Sequence, residues 1–287
     1  MLTTLRYTFV WLRGQILGWG LGIAALGLIL VPFYDPEILE DYLEMAESLP
    51  PEFLAFFGGD ISTLTTPEGF LGMYGFSMLP VIIGIFAVIV GSGLFASDEE
   101  GGRLDLIVAH PVSRAGLFWG RLLAFVGATV AILILGWLGF SVLLGVSSLG
   151  ISWGEMALPF LPLLAQTLIY GTLALLFSMV LPARRLAATA AGIVMVASYF
   201  ISSMGSLNET LALIARFLPY HYFQGSDAMS GLNVAWLLGL LAVSVLLALL
   251  AWRRFERRDI RVGGEGGWRL PSLSLPFRRP AGAGREA

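Results

Sequence analysis

The chain has 287 residues, of which 57% are hydrophobic and only 13% are charged, and its net charge is −3 at pH 7. About a quarter of the residues in a soluble globular domain carry charge, so this composition excludes an ordinary soluble domain. The absence of cysteine also excludes disulfides and thiolate metal sites.

Six uncharged stretches account for most of the hydrophobic residues. Each has at least 21 residues, and about 20 apolar residues suffice to cross a bilayer as a helix. Because a helix satisfies its own backbone polar groups in lipid, we predict an all-α membrane protein with six transmembrane helices. The stretches are 14–34, 69–97, 122–154, 156–183, 186–208 and 228–252.

The N-terminal part predicts a lead-in helix followed by the first span. Residues 2–13 have the pattern of a short amphipathic helix, and the span then carries Gly14, Gly18 and Gly22 at a spacing of four. Small residues at this spacing allow a neighbouring helix to approach closely. Glycine is also common in membrane helices, so the pattern leaves its packing role open.

The loop that follows, over residues 35–68, contains nine acidic residues and no basic one. Its segment "PEILEDYLEMAESL" alternates apolar and acidic positions with the period of an amphipathic helix. An acidic outer face could attract cationic cargo or metal ions, but the interpretation we favour is a solvated face on an interfacial helix. We assign no metal site to it.

The basic residues define the orientation. The chain has no lysine and 17 arginines, and placing both termini in the cytoplasm puts all of them inside except Arg216. This positive-inside pattern predicts an N-in, C-in, multi-pass protein of the cell membrane, and the arginine-only set favours a bacterial source. We expect residues 1–252 to form the transmembrane domain and residues 253–287 a basic cytoplasmic tail near anionic headgroups.

The segment before the sixth span is too polar to cross a membrane, yet it contains "LALIARFLPYHYF". Its apolar positions indicate a helix, and Pro219 in its middle interrupts that helix. The sequence therefore predicts a broken or re-entrant helical segment on the outer side.

Between spans two and three lies the most polar inner loop, residues 97–117, beginning "SDEEGGRLDLIVAHPVSR". Gly101 and Gly102 allow the chain to turn, "RLDLIVAH" has room for two helical turns, and Pro111 ends them. Ser113 is suited to cap the next helix. The loop is either a short ordered helix along the membrane or a plain interfacial loop with inner arginines.

No span contains Asp, Glu, Lys, Arg or His, whereas carriers coupled to protons or sodium usually need such a residue at membrane depth. The chain also lacks a G-x-x-x-x-G-K-[ST] phosphate loop. Energy for uphill transport would therefore have to come from another polypeptide through a cytoplasmic surface.

The run "SDEEGGRLDLIVAHPVSRAGLFWGRLLA" resembles the signature of ABC-2 type transporter permeases, in which an E-E-x-G-T-L-x-L-L-L-x-x-P-V-S-R-like run joins spans two and three. In that family the run is a coupling helix that docks on a separate ATP-binding subunit. Arg103 departs from a common threonine, and Arg121 replaces a frequent lysine. The residues that the resemblance assigns to docking are Glu99, Glu100, Gly102, Arg103, Leu104, Asp105, Ile107, Val108, Pro111, Ser113 and Arg114.

The resemblance implies a permease subunit of an ATP-driven exporter that is not itself an enzyme. Two permease chains, identical or different, would pair with two ATP-binding subunits, which hold the ATP and Mg²⁺. This chain would carry no cofactor and bind no nucleic acid. The uncharged spans favour a hydrophobic or amphipathic cargo, and spans one, two and five are expected to line the dimer interface.

Two alternatives belong to other classes. A CAAX-type intramembrane protease would use an E-E-x-x-x-R motif, loosely matched by Glu99 and Arg103, with F-x-x-x-H, matched by Phe217 and His221. The predicted topology places Glu99 and His221 on opposite sides of the membrane, which opposes this reading. A membrane subunit with a purely structural role is the other alternative.

Overall fold

The computed structural model describes residues 1–36, 38–39, 65–102 and 113–257, and every regular element in these ranges is helical. Short 3-10 or π-helical turns extend or join several of the α-helices. The α-helices are α1 (Leu2–Trp11), α2 (Arg13–Leu30), α3 (Pro67–Leu71), α4 (Leu79–Glu100), α5 (Arg114–Ser141), α6 (Trp153–Ala157), α7 (Phe160–Val180), α8 (Arg184–Ser203), α9 (Glu209–Ala215) and α10 (Val234–Arg257).

Six helical stretches are long and apolar enough to cross a membrane, which confirms the predicted six-helix fold. Their main helices are α2, α4, α5, α7, α8 and α10, and we refer to them as spans 1 to 6. The stretches are Arg13–Phe33, Pro67–Glu100, Arg114–Val146, Trp153–Val180, Arg184–Ser203 and Val234–Arg257.

Spans 2 and 4 form the centre of the bundle. About 72% of the most apolar part of each is buried, against 28% for span 5 and 22% for span 6. Helix α4 packs along α7, α2 packs along α5, and α10 lies on the outer side of α7. Most of the surface of spans 5 and 6 is therefore exposed on the outside of the bundle that the described residues form.

Glycines bring two helix pairs into backbone contact. Gly91 of α4 lies directly against the backbone of Gly171 of α7, and Gly139 of α5 lies against the backbone of Ala24 of α2. In both places a Cβ atom would overlap the opposite helix. Such close approach favours van der Waals contact between membrane helices, where the hydrophobic effect contributes little.

The predicted packing stripe on span 1 has no neighbour in the described part of the chain. A Cβ atom added to Gly14, Gly18 or Gly22 would meet no atom within 4 Å. The close contacts of this helix instead use Gly20 and Gly27, which meet Leu135 and Phe140 of α5. Packing of another helix against the stripe therefore stays a prediction.

Two of the differences between the helix ends and the predicted boundaries involve charged residues. Helix α4 continues through Glu100 and α5 begins at Arg114, so the inner loop is shorter than the predicted 97–117. Helix α10 continues to Arg257 and includes the start of the predicted tail. In both cases charged residues extend a spanning helix beyond the uncharged run from which its end was predicted.

The segment before span 6 is broken, as predicted: α9 is followed by 3-10 turns at Pro219–Tyr222 and Gly225–Met229. Tyr220 ties it to the bundle, since its Oη donates to Ser77 O at 2.7 Å and its backbone N donates to Ser198 Oγ at 3.0 Å. The buried amide of Gln166 also faces the Pro219 carbonyl and the Tyr220 nitrogen, at 3.2 and 3.3 Å. Burial raises the pKa of the Tyr220 phenol above its usual value, so it remains a hydrogen-bond donor.

Three predictions fall wholly or mostly outside the described residues. They are the amphipathic helix of the acidic loop, the short helix over 103–112, and the tail beyond residue 257.

Candidate functional site

The end of the bundle where α4 finishes and α5 starts is organised around one buried arginine. Arg121 is only 6% exposed, and its Nη2 lies 2.6 Å from Asp98 Oδ2. Its Nη1 donates to the backbone oxygen of Leu94, and its guanidinium carbon lies 5.0 Å from the centre of the Phe95 ring. A charge in an apolar bundle needs such partners, and they join α4 to α5.

Five aromatic side chains add the C-terminal end of α10 to this junction. Phe95 lies 5.6 Å from Phe118 and 4.7 Å from Phe255 between ring centres, and Phe118 lies 5.8 Å from Phe255. Trp119 and Trp252 form a further pair at 5.6 Å. Edge and offset contacts of this kind stabilise beyond the area they bury. We call Phe95, Phe118, Trp119, Trp252 and Phe255 the aromatic cluster.

Glu100 connects this region to span 5. Its Oε1 accepts a hydrogen bond of 2.9 Å from the backbone N of Arg184, the first residue of α8. A carboxylate at a helix N-terminus satisfies an unpaired donor and interacts favourably with the helix dipole. The Arg184 side chain in turn donates to Ile89 O of α4 at 3.2 Å. The neighbouring Glu99 is buried, with 8% exposed.

The structure shows the backbone and hydrogen bonds of the residues on either side of the predicted coupling helix, residues 103–112. At its start, Gly102 has φ +63°, a conformation that favours glycine, and its N donates to Glu99 O at 3.1 Å. At its end, Ser113 Oγ accepts from Gly116 N at 3.1 Å and caps α5 as predicted. Arg114 donates to Glu256 O of α10 at 3.3 Å.

Five predicted docking residues are therefore described, at one end of the bundle: Glu99, Glu100, Gly102, Ser113 and Arg114. The other six lie outside the described residues: Arg103, Leu104, Asp105, Ile107, Val108 and Pro111. The lead-in helix α1 reaches the same end, because Gly120 of α5 lies close to Met1 O and Thr4. We call this end of the bundle the platform; it is formed by the ends of α1, α4, α5 and α10 that meet there.

Removal of the Ser113 cap is expected to weaken the start of α5. A Ser113→Ala variant should lose about 1 kcal/mol of unfolding free energy, the usual effect of losing an N-cap side chain. Ser113→Asp, which keeps an acceptor at the cap, should stay close to wild type. Unfolding by SDS titration in mixed micelles measures both; equal losses in the two variants would contradict a capping role.

The sequence did not reveal three of these interactions: Arg121 with Asp98, Glu100 with α8, and Phe255 in the aromatic cluster. The sequence did contain one indication that Arg121 would have a charged partner. Arg121 lies two helical turns past the Ser113 cap and directly borders a long uncharged run, a position where an arginine requires a partner. No comparable signal in the sequence indicates that Glu100 caps a helix more than 80 residues away.

The geometry contradicts the protease alternative. Tyr220, next to His221, bonds to Ser77 just before α4, whereas Glu99 lies at the far end of that helix. With a rise of 1.5 Å per residue, the two ends of α4 are about 30 Å apart. Glu99 and His221 therefore cannot act on one substrate bond.

Residues 4–255 match the family described as "Multidrug efflux system permease Rv1217c, C-terminal domain". The match covers most of the chain, and the chain belongs to this family. It is accordingly a multi-pass membrane protein and a component of a transporter permease. No curated protein matches the chain.

Proposed function

We propose that this permease is the transmembrane subunit of an ATP-driven ABC-2 type exporter and that residues 97–121 couple it to a separate ATP-binding subunit. The observation that supports this proposal is the structure of the platform. The described residues before and after the stretch 103–112 belong to helices that Arg121 and the aromatic cluster hold together. A force applied to that stretch would reach α4, α5 and α10 together.

The links from the platform extend to span 5. Glu100 holds the start of α8, and α8 carries Ser198, which binds Tyr220 in the broken outer segment. Movement at the platform can therefore affect the outer end of the bundle through one helix. Such a connection is what a transporter needs in order to open its two sides alternately.

The proposed assembly contains two permease chains and two ATP-binding subunits in a bacterial cell membrane, with both termini of the permease cytoplasmic. ATP and Mg²⁺ would be held by the partner subunits. The open face of span 1 with Gly14, Gly18 and Gly22 suits close contact with the second permease chain. The family's description as a multidrug efflux permease supports a hydrophobic or amphipathic cargo.

Purification from native membranes in mild detergent tests the coupling. We expect an ATPase with a phosphate loop to copurify with the wild type and to be lost in Leu104→Asp, because a carboxylate would be placed in an apolar docking contact. Val146→Asp is the matched control. It makes the same kind of change at the last residue of the span 3 stretch, at the end away from the platform, where the side chain is 84% exposed, and it should retain the ATPase.

Two outcomes would contradict the proposal. If the wild type is isolated without any ATPase, the proposed energy source is wrong. If Leu104→Asp retains the ATPase and transports normally, the stretch does not dock. An ATPase that binds but responds to no cargo would instead favour a structural membrane subunit.

A further inference from the structure

An apolar groove opens on the side of the bundle between α7, α10 and the broken segment before span 6. Its volume is 320 Å³, at the lower end of the range of about 300–1,000 Å³ for small-molecule sites. Ile169 of α7, Leu218 of the broken segment, and Trp236, Gly239 and Leu240 of α10 contribute to its walls. The lining contains no acid, arginine or histidine.

The groove lies at the depth of one membrane leaflet. Its residues on α10 fall between positions 235 and 243, within the first three turns, and thus extend about 12 Å along the helix. At its rim, Trp236 lies 5.6 Å from Tyr222 and 6.2 Å from His221 between ring centres. Such aromatic groups are typical of the membrane–water interface. In the predicted topology this is the outer leaflet.

A positive charge lies beside the rim. Arg216 precedes Phe217, which lines the groove, and its backbone oxygen accepts a 2.7 Å hydrogen bond from Tyr222 Oη. Arg216 is exposed, and it is the one arginine that the predicted topology places outside. The apolar groove, at the depth of lipid acyl chains, is therefore adjacent to a cation at the depth of the lipid headgroups.

We propose that this groove binds one acyl chain of an anionic phospholipid of the outer leaflet, with the lipid phosphate beside Arg216. A helix about 10 Å wide with its side chains would occupy about 400 Å³ per turn, which exceeds the 320 Å³ of the groove, so a helical partner does not fit. A small soluble anion would find no charged group in the lining. A phospholipid matches both the apolar walls and the charge at the rim.

Gly239 allows the groove to be filled without disturbing the fold. A Cβ atom there meets nothing within 4 Å, so Gly239→Leu places its side chain in the groove instead of against another helix. Val245→Phe is the matched control, because Val245 is 57% exposed on the same helix and does not line the groove. Arg216→Gln removes the charge alone.

Native mass spectrometry of the full chain, with phosphatidylglycerol and phosphatidylcholine added in competition, tests the site independently of any ATPase. The wild type and Val245→Phe should each bind one phosphatidylglycerol in preference. Gly239→Leu should bind it at least about tenfold more weakly, as expected when two or more buried methylenes are displaced. Arg216→Gln should lower the preference for the anionic lipid about fivefold.

Two results would overturn the inference. If Gly239→Leu binds phosphatidylglycerol as well as the wild type, the acyl chain does not occupy this groove. If Arg216→Gln retains the full preference for phosphatidylglycerol, its phosphate does not lie at that side chain.

Discussion

A Gly91→Leu variant is expected to lose about 3 kcal/mol or more of its free energy of unfolding, the upper end of the usual overpacking penalty. Gly91 lies directly against the backbone of Gly171, so no side-chain rotation on the opposite helix could make room. The variant must separate spans 2 and 4, which form the most buried part of the bundle. SDS titration in mixed micelles, followed by circular dichroism, measures the loss.

Gly192→Leu is the control for this substitution. It makes the same change in span 5, where a Cβ atom meets nothing within 4 Å. We expect its unfolding free energy to stay within about 0.5 kcal/mol of the wild type, as for most substitutions away from packed sites. Equal losses in both variants would show that added bulk in any span, and not contact between α4 and α7, determines the effect.

Arg121→Met is expected to cost about 3 kcal/mol, the lower end of the range for breaking a buried ion pair. Asp98 retains 24% of its side-chain exposure, so water offsets part of the loss. The substitution also leaves the Leu94 carbonyl and the Phe95 ring without the guanidinium. In Arg185→Met, by contrast, the replaced arginine is exposed, and we expect little change.

A double-mutant cycle separates the ion pair from the other contacts of Arg121. Asp98→Asn combined with Arg121→Met should cost clearly less than the sum of the single changes, with a coupling energy of about 1 kcal/mol or more. Strictly additive losses would mean that the two side chains do not stabilise each other. In a complex with the proposed ATP-binding subunit, Arg121→Met should also reduce transport per ATP hydrolysed.

Hydropathy was sufficient to predict the six spans, because the bilayer requires long uncharged helices and few other sequences provide them. Pro219 similarly predicted the break before span 6, since a proline in the interior of a helix removes a backbone hydrogen bond and clashes with the preceding turn. Helix ends were less predictable. Asp98, Glu99 and Glu100 extend α4 beyond its uncharged run, where Asp98 pairs with Arg121 and Glu100 accepts a hydrogen bond from the start of α8.

Packing between the helices could not be predicted in the same way. Gly14, Gly18 and Gly22 have a more regular spacing than Gly20 and Gly27, yet among the described residues it is the latter two that contact another helix. Surfaces facing lipid and surfaces facing protein are both apolar in a membrane, so hydropathy does not distinguish them. At the platform, the sequence marked the residues of the loop but not the aromatic cluster beneath them.

The two glycine contacts also limit how the bundle can move. Helices that touch through their backbones cannot slide past each other without first separating, so α2 with α5 and α4 with α7 should each behave as a rigid body. Hinge or shear motion would then occur between these pairs and in the more loosely held spans 5 and 6. A cross-link within either pair should leave the transport cycle intact, whereas one from span 5 to span 2 should stop it.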